Sequence, residues 1–154
     1  MSKVPDAHLW LSSPEYLIPT KFICLWVAVS FLLSYVSGWA ALAREYRTQE
    51  PYAGDRWRFQ SAQMRWLLNF NHCLTIGADR TGLYLAILFP FRLAHPPLFI
   101  PWREISVRPT KLLWLRGVEL RLGSELQIPL RIRESLAQKL RASAGTSWPT
   151  ESLS

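Results

Sequence analysis

The sequence predicts one N-terminal transmembrane helix followed by a mainly β (α+β) domain that ends in a helix. Residues 22–43 contain no charged side chain, which is typical of a helix that crosses a bilayer. Apolar and polar residues then alternate over short segments, most clearly at Glu125–Ile132, as they do in half-buried strands. The period changes near the C-terminus, because Ile132, Leu136 and Leu140 recur at the spacing of one helix face.

The uncharged run is long enough to span a membrane. As a helix it would measure about 33 Å, slightly more than the thickness of the hydrocarbon core. We therefore assign residues 1–21 to an N-terminal tail and residues 22–43 to a transmembrane helix. Residues 44–55, which include Pro51 and Gly54, form a juxtamembrane linker.

A cleaved signal peptide is the alternative interpretation, because Ala41-Leu42-Ala43 fits the small-x-small cleavage pattern. Cleavage after Ala43 would release a small exported domain. Three features favour the anchor instead. Residues 1–21 are long and carry no net charge, the apolar run exceeds the roughly 7–15 residues of signal peptides, and Tyr35 and Trp39 are bulky.

The charge distribution predicts which side of the membrane the domain occupies. The whole net charge of +7 lies after residue 43, whereas Lys21 and the more distant Lys3 are the basic residues before the run. The positive-inside rule therefore predicts a cytoplasmic C-terminal domain. Four arginines close to the run carry this argument: Arg44, Arg47, Arg56 and Arg58. The membrane is thus the expected partner, and no nucleic-acid-binding motif occurs.

Small residues form a stripe along the predicted helix. Ser30, Ser34 and Gly38 are spaced four apart and share one face, where two helix backbones could approach closely. This pattern predicts self-association or helix pairing through the membrane segment. Chance is the alternative, since small residues are common in membrane helices.

The β domain is assigned to residues 56–143. Hairpins are predicted around Asp79–Gly82 and at the two-residue loop Gly123-Ser124, with Leu120, Ile128 and Leu136 in the core and Glu119 on the outer face. Gly117 suggests a strand break or bulge. A short helix is expected near residues 134–142, and the polar tail at residues 144–154 is predicted to be disordered.

An apolar, proline-rich segment, Phe89–Phe99, which we call the apolar loop, is the most distinctive part outside the predicted strands. We predict that it contacts a partner or the inner leaflet, with Phe91, Leu93 and Phe99 as anchors and Arg92 near lipid headgroups. The alternative is a loop folded over the domain as part of its core. Trp102 is expected in the core, and Glu104 is expected to pair with an arginine on a neighbouring strand.

Two stretches carry a resemblance to known proteins. Residues 73–85 (CLTIGADRTGLYL) resemble the opening hairpin of bacterial pleckstrin-homology-like domains, and residues 82–105 look like uncharacterised bacterial proteins with one N-terminal membrane segment. The resemblance to this pleckstrin-homology-like or GRAM-like group implies a partly open barrel closed by a C-terminal helix. It also implies the bacterial inner (plasma) membrane, and binding of lipid, peptide or a partner domain rather than catalysis. The paired basic residues of phosphoinositide-binding loops are missing, since Arg80 stands alone in the first hairpin.

Few residues suggest catalytic chemistry. No zinc spacing, nucleotide-binding loop or hydrolase motif occurs, so no metal, cofactor or catalytic residue is predicted. Cys73 and His95 could form a dyad in principle, which keeps a small enzyme as an alternative. The sequence favours a membrane-anchored binding or adaptor module, not an enzyme, that engages a protein partner or the inner-leaflet surface.

Overall fold

The structure, a computed structural model, describes residues 14–65 and 68–151. Within these residues the chain forms one long apolar helix, a curled antiparallel half-barrel of seven strands, and a C-terminal helix. This confirms the predicted order of a long helix, a mainly β domain and a closing helix.

The elements have the following bounds. The helices are α1 (Pro14–Ser37), α2 (Trp39–Tyr46) and α3 (Glu134–Ala144), and short 3-10 helices occur at η1 (Phe91–Ala94), η2 (Trp102–Glu104) and η3 (Gly145–Ser147). The strands are β1 (Asp55–Met64), β2 (Leu68–Ala78), β3 (Gly82–Ile87), β4 (Leu98–Pro101), β5 (Ile105–Leu112), β6 (Leu115–Leu122) and β7 (Ile128–Arg133). Across the sheet their order is β4-β3-β2-β1-β7-β6-β5.

The long helix α1 ends earlier than predicted. Its residues Leu17–Ser37 are long and apolar enough to cross a membrane, a property that a signal sequence near an N-terminus shares. Gly38, with φ of +84°, then separates α1 from α2, so the predicted span of residues 22–43 is divided. The physical reason is burial: Trp39 and Leu42 are fully enclosed in the core of the domain.

The predicted hairpin around Asp79–Gly82 is confirmed, since β2 and β3 pair on either side of it. One carboxylate oxygen of Asp79, Oδ1, accepts hydrogen bonds from the backbone N–H groups of Thr81 at 2.7 Å and Gly82 at 3.0 Å. The side chain thus closes the turn in the way that aspartate favours. Trp102, predicted to be in the core, is buried and its indole N–H donates to the Asp79 carbonyl at 2.7 Å.

The predicted two-residue loop at Gly123-Ser124 is wrong. Leu122 pairs with Ile128, so the loop comprises residues 123–127 and β7 begins later than the alternation suggested. The amide of Gln127 donates to the carbonyl oxygens of Gly123 and Ser124 and closes this longer loop. Leu126 packs against the core from within the loop, which is why it continued the apolar pattern of a strand.

The predicted break at Gly117 is also wrong, because Gly117 lies inside β6. The chain turns instead at Leu113 and Trp114, residues that carry no turn signal. Gly117 is required for packing rather than for a turn: a Cβ there would stand 2.4 Å from Leu112 Cδ1 and 2.8 Å from the Ile132 carbonyl oxygen.

Leu120, Ile128 and Leu136 are buried in the core, as predicted. Glu119 lies on the outer face of β6 but is buried as well, because Arg121 Nε and Arg131 Nε reach its carboxylate oxygens at 3.1 Å and 2.9 Å. Among the described residues, Glu104 does not pair with an arginine of a neighbouring strand, as predicted, but approaches the adjacent Arg103 at 3.7 Å.

The tail predicted to be disordered is part of the fold up to residue 151. Trp148 packs against Trp102 with ring centroids 5.3 Å apart, and the Arg141 guanidinium lies 5.5 Å from its ring. Glu151 forms a parallel bridge with Val107 and an ion pair with Arg141. The polar composition of the tail gave no sign of this packing, since the packing depends on only two side chains, Trp148 and Glu151. Residues 152–154 lie outside the described part of the chain.

Candidate membrane-contact site

The polar and apolar faces of α1 are arranged in the reverse of a helix in a water-soluble protein. Ser30, Ser34 and Ser37 are buried against the rest of the chain, and Ser30 Oγ donates to the Trp26 carbonyl at 2.8 Å. Large apolar side chains point outward between Leu17 and Val36, and they include Ile18, Phe22, Ile23, Leu25, Phe31 and Leu32. Such a surface is stable in contact with lipid and costly in contact with water.

The buried face of α1 lies beside η1. Trp26, Ser30 and Ser34 recur four residues apart, and the Trp26 ring lies 6.3 Å from the Phe91 ring of η1. Both η1 and α2 contact α1. The small serines therefore allow a segment of the same chain to approach the helix closely.

The predicted helix-pairing residues, Ser30, Ser34 and Gly38, do not lie on an exposed face. The two serines are buried, and a Cβ on Gly38 would stand 2.7 Å from Ile128 Cδ1. The close packing that the stripe predicted occurs within the chain, between α1 and its own domain. Self-association stays a prediction, and it would have to use a different face of α1.

The apolar loop is divided into an exposed part and a buried part. Phe89 is 88% exposed and Leu93 is 61% exposed, whereas Phe91 leans toward Trp26 and Arg92 is exposed between them. Three of the four predicted contact residues, Phe91, Arg92 and Leu93, thus share one surface beside α1. We call Phe89, Phe91 and Leu93 the loop anchors.

Phe99, the fourth predicted contact, lies elsewhere. It belongs to β4, pairs with Tyr84 across the strands, and has its ring 6.3 Å from that of Tyr52. Sequence reasoning missed Phe89, although its position at the start of the same loop was a usable signal. From Ala94 to Leu98 the loop folds inward, so the alternative interpretation as core applies to that half.

His95 attaches the loop to the domain. Its ring packs edge-on against Trp39 and Phe70, at centroid distances of 5.5 Å and 6.1 Å, and its Nδ1 lies 3.0 Å from the Phe91 carbonyl oxygen. Burial lowers the pKa of His95 below its ordinary value of 6.5, although the contact with Phe91 opposes this shift. The ring is therefore neutral at neutral pH and serves as packing for η1.

Cys73 and His95 do not form a dyad in the described structure. Neither ring nitrogen of His95 is hydrogen-bonded to the thiol, since Nδ1 faces Phe91 and Nε2 has no partner among the described residues. Burial raises the pKa of the Cys73 thiol, which disfavours the nucleophilic thiolate. Over residues 14–65 and 68–151, no three His, Cys, Asp or Glu side chains lie close enough together to hold a metal ion.

A second exposed apolar surface lies at the turn between β5 and β6. Leu113 is 83% and Trp114 85% exposed, and Leu115 follows them; we call these three residues the hairpin tip. The strand β6 runs from the tip to Leu122, which pairs with Ile128 next to Gly38. The tip is thus separated from the end of α1 by roughly 25 Å of strand.

Comparisons with known proteins give no further assignment. No protein-family model, no curated protein and no solved structure matches this chain. The functional interpretation of the loop anchors therefore depends on the geometry of the chain itself.

Proposed function

We propose that this protein is a membrane-anchored binding module whose α1 crosses the bilayer and whose loop anchors enter the leaflet on the side of the domain. The observation that carries the proposal is the side-by-side position of two exposed apolar surfaces, the outer face of α1 and the loop anchors. A single lipid layer would cover both. The β domain would then be held against the membrane surface, where it engages its partner.

The depth of the loop is compatible with such an insertion. Along α1, the distance from Trp26, whose ring lies beside that of Phe91, to Ser37 is about 16 Å at the rise of an α-helix. If Ser37 marks the edge of the hydrocarbon core, which is about 30 Å thick, the loop anchors would lie among the acyl chains. Arg92 can extend its guanidinium toward the headgroups while its aliphatic part stays among the acyl chains.

The inner leaflet of a bacterial plasma membrane is the proposed location. Arg44, Arg47, Arg56 and Arg58 follow α1 and are all exposed, so the side of the domain carries the positive charge. The observed order of elements, a half-barrel followed by a closing helix, also suits the pleckstrin-homology-like group proposed from the resemblance. Domains of that group usually bind lipid or another protein.

The packing of α2 supports an uncleaved anchor over a signal peptide. Cleavage after Ala43 would remove Trp39 and Leu42, both fully buried, and the hydrogen bond of 2.9 Å from the Trp39 indole N–H to the Pro96 carbonyl. The exported domain would lack two large core side chains. An enzyme using Cys73 and His95 receives no support from their separate hydrogen-bonding environments.

The test measures the depth of the loop in the full chain reconstituted in lipid nanodiscs. In a background of Cys24→Ser and Cys73→Ser, Phe91→Cys is labelled with an environment-sensitive fluorophore. We expect strong quenching by nitroxides attached to acyl chains and weak quenching by iodide in the buffer. Leu113→Cys at the hairpin tip is the matched control, and we expect the opposite response there.

Iodide quenching at residue 91 as strong as at residue 113 would contradict insertion of the loop. Unfolding of the labelled variant is checked by the thermal transition of the domain. Since Phe91 is partly buried against Trp26, labelling Phe89→Cys, at the more exposed anchor, provides a second measurement.

A further inference from the structure

The junction between α1 and α2 contains a small cavity next to the end of the apolar span. Its volume is about 270 Å³, and it is lined by Tyr35, Gly38, Ala40, Ala41, Arg44 and Arg65. Its lining thus combines three small residues with two arginines. No aspartate or glutamate contributes to this lining.

The two arginines come from different elements and have spare hydrogen-bonding capacity. Arg65, in the turn after β1, donates from one terminal nitrogen to the Val36 carbonyl oxygen at 3.1 Å, which leaves most of its five N–H groups available. Arg44, in the last turn of α2, is exposed and has no carboxylate partner among the described residues. Glu45 is not its counterpart, because that carboxylate hydrogen-bonds with Tyr46.

One further groove of the described structure also presents two arginines without an acid, namely Arg80 and Arg103, but no residue of α1 or α2 lines it. The groove beside α3 is lined by Lys111, Arg116 and Arg141 together with Glu134 and Glu151, so acids offset two of its three cations. The cavity at the junction combines two arginines, no acid in its lining, and a position at the end of the apolar span. Such a site suits a group with negative charge and several acceptor oxygens, and bidentate guanidinium contacts favour phosphate.

The position of the cavity identifies the source of the phosphate. Tyr35 is 73% exposed and lies in the last turn of α1, where the hydrocarbon core gives way to the headgroups. Phe31 and Leu32, one turn earlier on the same side, are exposed and apolar. A phosphate bound between Arg44 and Arg65 would therefore have its acyl chains along this apolar face.

We infer that the cavity binds the phosphate of one anionic glycerophospholipid. This inference deepens the proposed function and rests on it, because it requires α1 to lie in a membrane. An anionic headgroup is preferred over a zwitterionic one, since no carboxylate lines the cavity to meet an ammonium group. A bound lipid of this kind orients the domain relative to the bilayer, because it contacts α1, α2 and the β1–β2 turn together.

The experiment is native mass spectrometry of the full chain released from detergent micelles that contain either phosphatidylglycerol or phosphatidylcholine. We expect one phosphatidylglycerol to be retained per chain, about tenfold more readily than phosphatidylcholine. Arg44→Gln together with Arg65→Gln should abolish this preference. Arg103→Gln together with Arg116→Gln, which removes the same charge at exposed positions elsewhere, should keep it.

Arg65 also donates a hydrogen bond to the Val36 carbonyl oxygen, so replacing this side chain could alter folding. Arg44→Gln alone breaks no described hydrogen bond, and it should reduce retention about threefold to tenfold with an unchanged thermal transition. Equal losses in the control pair, or no preference in the wild type, would overturn the inference. Displacement of the lipid by millimolar inorganic phosphate or glycerol phosphate would overturn it too, by indicating a site for free anions. Failure of the proposed anchor can be told apart from failure of the lipid site, because alkaline carbonate would then release the chain from membranes.

Discussion

Gly38 is the residue at which the chain leaves the apolar helix and enters the domain. Its φ of +84° lies in the left-handed region that glycine adopts without strain, and its backbone N–H donates to the Tyr35 carbonyl at 3.2 Å. The Arg65 guanidinium and Ile128 both lie close to the position that a Cβ would occupy. A single residue therefore sets both the direction of α2 and the shape of the cavity beside it.

Glu119 makes the stability of the domain dependent on pH. Burial alone would raise its pKa, but hydrogen bonds and charge from Arg131 and Arg121 outweigh burial and hold the pKa below its ordinary value of 4.5. A lowered carboxyl pKa stabilises the fold above about pH 4.5, and this contribution is lost as the pH falls through the folded value.

We expect Glu119→Gln to lower the free energy of unfolding by about 1–3 kcal/mol at pH 7, because two charge-assisted hydrogen bonds are lost. The loss should shrink as the pH is lowered below about 4.5, where the wild type loses the same contribution. Thermal or denaturant unfolding at a series of pH values measures this. Glu125→Gln, at an exposed loop position, is the control and should cost little; a pH-independent loss at position 119 would contradict the assignment.

At the scale of elements, α2 belongs to the domain although its composition continues that of α1. Its two inward side chains, Trp39 and Leu42, are fully buried, and His95 and Phe70 pack around Trp39. The eight residues of α2 thus connect the apolar loop with the core.

Two tryptophans provide a test of this role. Trp39→Ala should lower the free energy of unfolding by roughly 3–5 kcal/mol, the usual cost of emptying a large buried site. Trp114→Ala, at the exposed hairpin tip, should change it by less than about 0.5 kcal/mol. Chemical unfolding of the full chain in detergent, followed by near-ultraviolet circular dichroism, compares them. Equal losses would contradict the placement of α2 in the core.

The elements also indicate what the sequence could and could not predict. Period-two alternation and the Asp79 turn predicted the β2–β3 hairpin and the core positions Leu120 and Ile128, because those signals are local. The end of α1 was not predictable from composition, since apolar residues such as Trp39 and Leu42 suit both a membrane helix and a protein core. The turn at Leu113 and Trp114 uses residues that favour strands, so the pattern placed an interruption at Gly117 instead.

Only part of the candidate site was predicted, again because local sequence patterns do not reveal tertiary contacts. The composition of the apolar loop indicated a contact surface, and Phe91, Arg92 and Leu93 do lie on one surface of the structure. Which half of the loop faces outward depends on His95 packing between Trp39 and Phe70, residues distant in sequence. The same dependence on tertiary contacts explains why the serine stripe of α1 faces the domain.

At the scale of the whole molecule, the proposal requires that α1 remain attached and in the bilayer. We expect the full chain to stay with membranes through washes with high salt and alkaline carbonate, because the apolar face of a membrane-spanning α1 would be in contact with lipid. Intact-mass measurement of the extracted protein should give the uncleaved chain. Release by carbonate, or an N-terminus at Arg44, would contradict the anchor.

The packing of α2 has a consequence for how the protein is made. Ribosomes synthesise α1 and α2 before any strand, whereas the core that encloses Trp39 is completed by residues as late as Leu140 and Ala144. The anchor is therefore exposed for the whole time in which the strands are being synthesised. If α1 crosses the bilayer as proposed, its insertion would precede domain folding, and the bilayer would be the first binding partner of the nascent chain.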